Sequence, residues 1–223
     1  METWRLLLEA EASPAANMAV DEALLRAMRS RGRPVLRIYG WDRPCQSLGY
    51  FQPAAEAIPD LPFVRRYTGG GLVDHREDLT YTVVLPRAHP LLGVSMAESY
   101  AAMHEGVAEA LTLIGLDAEL AAQADATDSS ACFQKAVCYD VTVHGRKVAG
   151  AAQRRTREGL LHQGSVLLPD PGQRPDLRKV LPEAMAEALR IEFSRDEITP
   201  EEAERAAKFE RERYATEAWN QQR

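Results

Sequence analysis

The chain has only three cysteines, Cys45, Cys132 and Cys138, an odd number with no C-x-x-C spacing. That argues against a disulfide framework and against structural zinc. No H-E-x-x-H or comparable cluster is present, so no metal site is expected. Long apolar runs are also missing. Leu6-Leu7-Leu8 is ended at once by Glu9 and Glu11, and no basic region precedes a long apolar stretch. Neither a signal peptide nor a membrane span is therefore expected, and the chain is assigned to the cytoplasm. Positive charge is in deficit as well: Lys and Arg number 27 against 33 Asp and Glu, a formal net charge of -6. A broad grip on nucleic-acid phosphates is not expected from that balance. There are no repeats or low-complexity tracts.

What is present suits an ordinary globular protein. The 223 residues are 45% hydrophobic and 27% charged, enough for one medium domain with a real core. Ser13-Pro14 reads as a helix N-cap and first-turn proline, with Val20, Leu24 and Met28 on the apolar face. From Pro34 to Trp41 the pattern alternates as a strand, and Phe63 to Arg66 is a short strand running into three glycines. Leu79 to Leu85 is a further strand. Ser95-Met96-Ala97-Glu98 is a capping box opening a helix that ends near Gly115.

Residues 121 to 130 read as a loop, and Tyr139 to Val143 as a strand. His144-Gly145 is a tight turn, Arg146 to Arg155 the return strand, and Leu160 to Leu168 another strand. Beyond Pro169 the composition becomes charged and helical, with helices starting at Pro182 and at Thr199-Pro200-Glu201-Glu202. Strands mixed with a few helices, without regular βαβ alternation, predict an α+β fold. Residues 1–170 form the expected catalytic domain, and residues 171–223 a helical extension packed on it.

Several residues could carry chemistry. Gly69-Gly70-Gly71 after Arg65-Arg66 can bring backbone N–H groups close to a ligand. No Gly-Lys-Ser/Thr follows and the spacing is not G-x-G-x-x-G, so neither nucleotide loop is present. The alternative is a tight loop in which glycine only satisfies positive φ. Lys147 stands before Val148-Ala149-Gly150-Ala151-Ala152, a strip of small residues against which a ligand can lie; equally, it is an ordinary surface lysine. Cys132 ends a polar loop, which favours access to its thiol, whereas Cys45 and Cys138 sit in or beside apolar strand patterns and read as core or near-core. His75 follows the glycines, and His162 interrupts an apolar strand, either lining a pocket or serving as a hydrogen-bonded structural group. His89, His104 and His144 read as surface residues.

Taken together, five segments resemble the biotin/lipoate protein ligase and octanoyltransferase family, in family order. They are Asn17 to Glu22, Ser47-Leu48-Gly49-Tyr50-Phe51-Gln52, Arg65 through His75, Lys147 through Arg154, and Leu161 through Leu168. The resemblance covers most of residues 13 to 168. It implies a mixed β-sheet flanked by helices, similar to biotin synthetases and class II aminoacyl-tRNA synthetases. It also implies an acyl pocket walled by Arg65, Arg66, Gly69, Gly70 and Gly71 and by the Lys147 strand with Gly150 and Ala151. His75 and His162 are added as substrate-binding candidates.

Two chemistries compete within the family. Ligases activate free lipoate with ATP and Mg²⁺ as an acyl-adenylate. Octanoyltransferases take the acyl group from acyl carrier protein onto a cysteine and need no cofactor. Both deliver it to a lysine of lipoyl-domain proteins, the glycine cleavage H protein and the E2 subunits of 2-oxoacid dehydrogenases. Ligases typically carry Asn-Asp before the lysine strand, where the cysteine-dependent transferases carry Cys-Phe. This chain has Ala131-Cys132-Phe133, so it resembles the transferases built on the lipoate–protein ligase A scaffold, although no proline follows in Gln134-Lys135-Ala136. The resemblance implies Cys132 as nucleophile and Lys147 as its cationic neighbour. A non-catalytic acyl- or carrier-binding protein is a third reading, disfavoured by the presence of both residues.

Overall fold

The computed structural model describes residues 1–122 and 137–222. The chain runs β1 (Glu2–Ala12), α1 (Pro14–Arg31), β2 (Val35–Trp41), β3 (Gln46–Leu48), β4 (Phe63–Arg65), β5 (Val73–Asp74), β6 (Leu79–Pro86) and α2 (Met96–Leu113). It continues through β7 (Ala118–Leu120), β8 (Val141–Val143), β9 (Arg146–Arg155), β10 (Gly159–Val166), α3 (Arg174–Leu189), β11 (Ile191–Arg195), α4 (Pro200–Phe209) and α5 (Glu217–Asn220). Eight strands make one mixed sheet in the order β11-β1-β2-β6-β10-β9-β8-β7. Its first two pairings are parallel and the rest antiparallel. A small second sheet, β4-β3-β5, carries the Ser47 segment. The fold is α+β.

Alternation along the central strands explains the layering. Leu36 and Ile38 of β2, Tyr81, Val83 and Leu85 of β6, and Leu160 and Val166 of β10 face α2 and α3, forming the larger core with Met103, Val107, Leu177 and Leu181. The intervening residues Val35, Val84 and Leu161 face α1 and meet Leu24, Leu25 and Met28. Because both faces are covered, the central strands are buried throughout rather than half exposed. The cap signals act as read: Ser13 accepts from Ala16 N, and Ser95 and Thr199 each close a capping box.

Four expectations change. Pro182 lies inside α3 rather than opening a helix, because the buried stripe Leu177, Leu181, Ala184 and Met185 carries the helix past it on packing with α2. The tail is not wholly helical, since β11 pairs with β1 as the sheet's edge strand. Cys138 is partly exposed rather than near-core. His89 and His104 are buried, not surface residues.

The tail is stapled to the first half by buried charges. Arg5 donates to both oxygens of Glu202 (2.7 and 3.0 Å) and to Asp196, while Glu22 of α1 accepts from Tyr214 (2.7 Å). At the end of the chain, Trp219 donates to Arg65 O and Asn220 accepts from Arg65 N.

His104 has a measurable cost. Its Nδ1 donates to Tyr139 O at 2.7 Å, and its buried Nε2 has no partner among the described residues. Burial pushes its imidazole down from 6.5 to about 4. The unfolded chain therefore takes up a proton below pH 6.5 that the folded chain does not, so stability falls with pH between about 6.5 and 4. Chemical denaturation at pH 7 and pH 5 should show the wild type losing about 2 kcal/mol more than His104→Gln over that interval. Equal losses would contradict the assignment.

Candidate functional site

The site begins with a hairpin. His144 (φ 50) and Gly145 (φ 73) turn the chain between β8 and β9, both left-handed as a two-residue loop requires. Lys147 follows on β9, and its side chain folds along the strand toward Asp140, with Nζ 2.7 Å from Asp140 Oδ2. Gly150 makes room for it. A Cβ there would stand 2.6 Å from Lys147 Cε and 2.7 Å from Nζ. Asp140 is held from other sides by the Tyr100 hydroxyl (2.5 Å) and by Val137 N (2.7 Å). Burial, then the neighbouring Asp140, raises the Tyr100 phenol far above its ordinary value, so it remains a donor.

This lysine borders a narrow cleft on the α1 side of the sheet. Gly150, Ala151 and Ala152 of β9 and Gln163, Gly164 and Ser165 of β10 form one wall. Met18, Tyr39, Trp41, Val73 and Thr80 add apolar and aromatic surface, and Ser47, Arg66 and His75 complete the lining. Small residues on the strand wall and aromatic carbon opposite suit a thin apolar chain, with polar groups confined to a few points.

The expected site residues fall into three groups. Lys147, Gly150, Ala151, Arg66 and His75 line the cleft. His75 is fixed from both ring nitrogens, with Nδ1 2.8 Å from Asp78 Oδ2 and Nε2 2.8 Å from Ser47 Oγ, and its ring stacks on Trp41 at 4.1 Å. Arg66 organises the glycine loop, donating to Gly69 O (2.7 Å), Gly71 O (2.6 Å) and Ser47 O (3.0 Å). Of the three glycines, only Gly70 has positive φ (83°), and a Cβ there would stand 3.3 Å from the Ala152 methyl of the cleft wall. Gly69 and Gly71 turn carbonyls onto Arg66. The loop thus serves the cleft through its close packing.

Arg65 and His162 are not brought to the cleft. Arg65 is fully buried and donates to Gly49 O, Gln52 O and Asn220 O, stapling β4 to the preceding turn and to the end of the chain. Adjacent residues of an extended strand point to opposite sides, which separates Arg65 from Arg66. The same alternation puts His162 on the α2 face, where Nδ1 accepts from Gln153 and Nε2 faces the Tyr81 hydroxyl. Burial, then His104, depresses its imidazole well below its ordinary value, and it is a neutral core histidine. Cys132 lies outside the described residues. Cys45 is fully buried, and burial pushes its thiol up to about 12, the state of an inert core cysteine.

Residues not singled out from the sequence include Asp140, Tyr100, Ser47 and Asp78. The three-residue spacing of His75 and Asp78 was a usable signal; the Tyr100–Asp140 contact joins residues 40 apart and had none. Among the described residues no group of His, Cys, Asp and Glu could hold a metal ion, and no helix is long and apolar enough to cross a membrane.

The lipoyl protein ligase A/B catalytic domain matches residues 13–191. Octanoyltransferase LipM of Kyrpidia tusciae is 36% identical over 273 aligned residues, covering 99% of this chain and 99% of its own. Octanoyltransferase LipM of Brevibacillus brevis is 33% identical over 277 aligned residues, covering 100% of each. Among solved structures, a lipoate-protein ligase A bound with ATP superposes with a TM-score of 0.83 at 26% identity, covering 99% of each chain. The bipartite lipoate protein ligase of Thermoplasma acidophilum gives 0.81 at 25% identity, covering 99% of this chain and 97% of that one.

The close approach at Gly150 can be tested without assuming a reaction. A Cβ at Gly150 meets the flexible end of Lys147, whereas one at Gly49 would stand 1.9 Å from the Gly70 carbonyl oxygen, which is backbone. Gly49→Ala should therefore cost about 3 kcal/mol or more in denaturant. Gly150→Ala should expel Lys147 from the buried Asp140 carboxylate and so cost about 3 kcal/mol through the broken ion pair rather than through a backbone clash. Acylation of Lys147 by a succinimidyl ester, read by mass spectrometry, should rise several-fold in Gly150→Ala. Unchanged labelling would contradict the packing.

Proposed function

Because the chain belongs to the lipoyl protein ligase A/B catalytic domain family, we propose that it is an octanoyltransferase of lipoate biosynthesis. It moves an octanoyl group from a carrier thioester to the target lysine of a lipoyl-domain protein. The carrying observation is the identity to octanoyltransferases LipM along the whole chain, at 36% and 33%. The ligase reading rests on lower identity, 26% and 25%, to solved structures of the same fold.

The nucleophile in this proposal is Cys132. As thiolate it attacks the octanoyl thioester of acyl carrier protein, forming an octanoyl-cysteine and releasing the carrier thiol. Exchange of one thioester for another is nearly balanced in energy, so neither ATP nor Mg²⁺ takes part. Lys147 supplies positive charge that favours the thiolate. Its ammonium is aimed by Asp140 and has room because residue 150 is glycine. The octanoyl tail lies in the cleft along Gly150, Ala151 and Ala152, facing Met18 and Val73. Acceptors are the glycine cleavage H protein and the E2 subunits of 2-oxoacid dehydrogenases, whose lysine amine displaces the cysteine and leaves a stable amide.

Incubation with octanoyl carrier protein should add one octanoyl group, mapped by peptide mass spectrometry to Cys132. Cys132→Ala should lose both adduct and transfer, while Lys147→Ala should slow adduct formation ~100-fold or more. Transfer persisting in Cys132→Ala would refute the assignment.

A further inference from the structure

Two hollows meet at Lys147. One is the acyl cleft; the other lies between the β8–β9 turn and the residues that follow β10. Among the described residues, Lys147 is the one that lines both. A thioester substrate likewise has two limbs, the acyl chain and the group that carries the sulfur. With the acyl chain in the cleft and Lys147 as the cation of the reaction, the carrying group has to leave past Lys147. Resting on the octanoyltransferase reading, we propose that the second hollow binds the phosphopantetheine arm of the donor thioester, with Arg146 on its phosphate.

Local structure builds this hollow. The last register pair of β9 and β10 is Ala149 with Val166, yet the strands stay tied beyond it, because Leu167 N donates to Val148 O at 2.7 Å. Val148, Leu167 and Leu168 then give the hollow an apolar lining, continued by Pro169. At its rim the left-handed pair His144 and Gly145 reverses the chain, and Val143 pairs with Arg146 across the turn. His144 and Arg146 are both exposed there and both line the hollow.

The chemistry of the lining fits one limb of the reaction better than the other. Phosphopantetheine is a phosphate joined to a chain of methyl-bearing carbon and two amides that ends in the sulfur. The apolar lining suits its carbon, and a cationic rim suits its phosphate. The Lys147 ammonium is matched by Asp140 at 2.7 Å, whereas no acidic side chain among the described residues pairs with Arg146. Arg146 therefore carries the uncompensated positive charge, and the carboxylate in the lining is Glu77 of the β5–β6 connection. A guanidinium grips a phosphate through two parallel N–H donors, an interaction that an arm without phosphate cannot make. The same charge counts against the acceptor, whose lysine arrives as an ammonium and is repelled by Arg146 and Lys147 together. This hollow is thus assigned to the donor.

Donor kinetics test the assignment. Four octanoyl thioesters are compared with one lipoyl domain as acceptor: those of pantetheine, phosphopantetheine, coenzyme A and acyl carrier protein. The first lacks the phosphate, and the other three share the phosphorylated arm. In the wild type, kcat/KM for the phosphopantetheine thioester should exceed that for the pantetheine thioester ~10-fold, and Arg146→Ala should bring the ratio close to one. Arg146→Lys keeps the charge without the fork and should retain roughly a 3-fold preference. Because Arg146 is exposed at a hairpin, these replacements leave the core intact.

Equal losses in Arg146→Ala on coenzyme A and on the carrier protein would identify the arm common to both, and the one with the higher wild-type kcat/KM is the source. A phosphopantetheine-to-pantetheine ratio unchanged in Arg146→Ala would overturn the proposal. So would a loss confined to the carrier protein, which would put Arg146 against the carrier's own surface. Absence of transfer from all four thioesters in the wild type would instead overturn the octanoyltransferase reading on which the proposal rests.

Discussion

One buried carboxylate holds the cleft's framework together. Asp21, on α1, accepts from Arg37 Nη1 (2.8 Å) and Tyr39 (3.1 Å) on β2, from Thr82 (2.8 Å) on β6 and from Gln163 (2.7 Å) on β10. A single side chain thus fixes the helix against three adjacent strands. Gln163 then accepts from Thr68 at 2.7 Å, which carries the constraint to the start of the glycine loop. Arg37 is 2% exposed and also donates to Asn17 and Glu9, so removing Asp21 would strand a buried guanidinium. Breaking such a pair costs several kcal/mol, even though the intact pair adds little net stability over an apolar substitute. What the network contributes is register: the two walls of the cleft cannot slide past each other while it is satisfied.

The cations around the cleft illustrate a division of labour. Arg65 and Arg66 are consecutive, yet one ties three parts of the chain together from inside while the other folds the glycine loop from the cleft side. Lys147 is held at the cleft by Asp140, which Tyr100 fixes in turn, and Gly150 leaves the space for it. In a narrow apolar slot each of these charges is screened far less than at the surface, so its position matters more than the overall acidity of the chain. The −6 net charge describes solubility; the local arrangement decides chemistry.

Much of this was legible in the sequence. Caps at Ser13, Ser95 and Thr199, the His144-Gly145 turn and the period-two strands all depend on neighbours in sequence, and each forms as local chemistry dictates. The cleft's Lys147–Gly150–Ala151 strip was visible for the same reason. Face assignment was harder. His162 interrupts an apolar strand whether it points into the cleft or into the α2 core, and only the register with β6 and β9 decides. Arg65 failed for a related reason, since a strand ending at a loop can turn either arginine inward. Pro182 looked like a helix start because local rules favour prolines there, and tertiary packing overrode them. Asp140 and Asp78 went unremarked because their partners are set by long-range pairing or by a loop.

In the proposed reaction the acyl group arrives as a thioester and leaves as an amide with no nucleotide in between. The direct measurement supplies purified protein and an unmodified lipoyl domain with either octanoyl carrier protein alone or free octanoate plus ATP and Mg²⁺, and weighs the lipoyl domain by mass spectrometry. Octanoylation from the carrier thioester without ATP is the predicted result. Modification only from the free acid with ATP would rule out thioester transfer and make the chain a ligase.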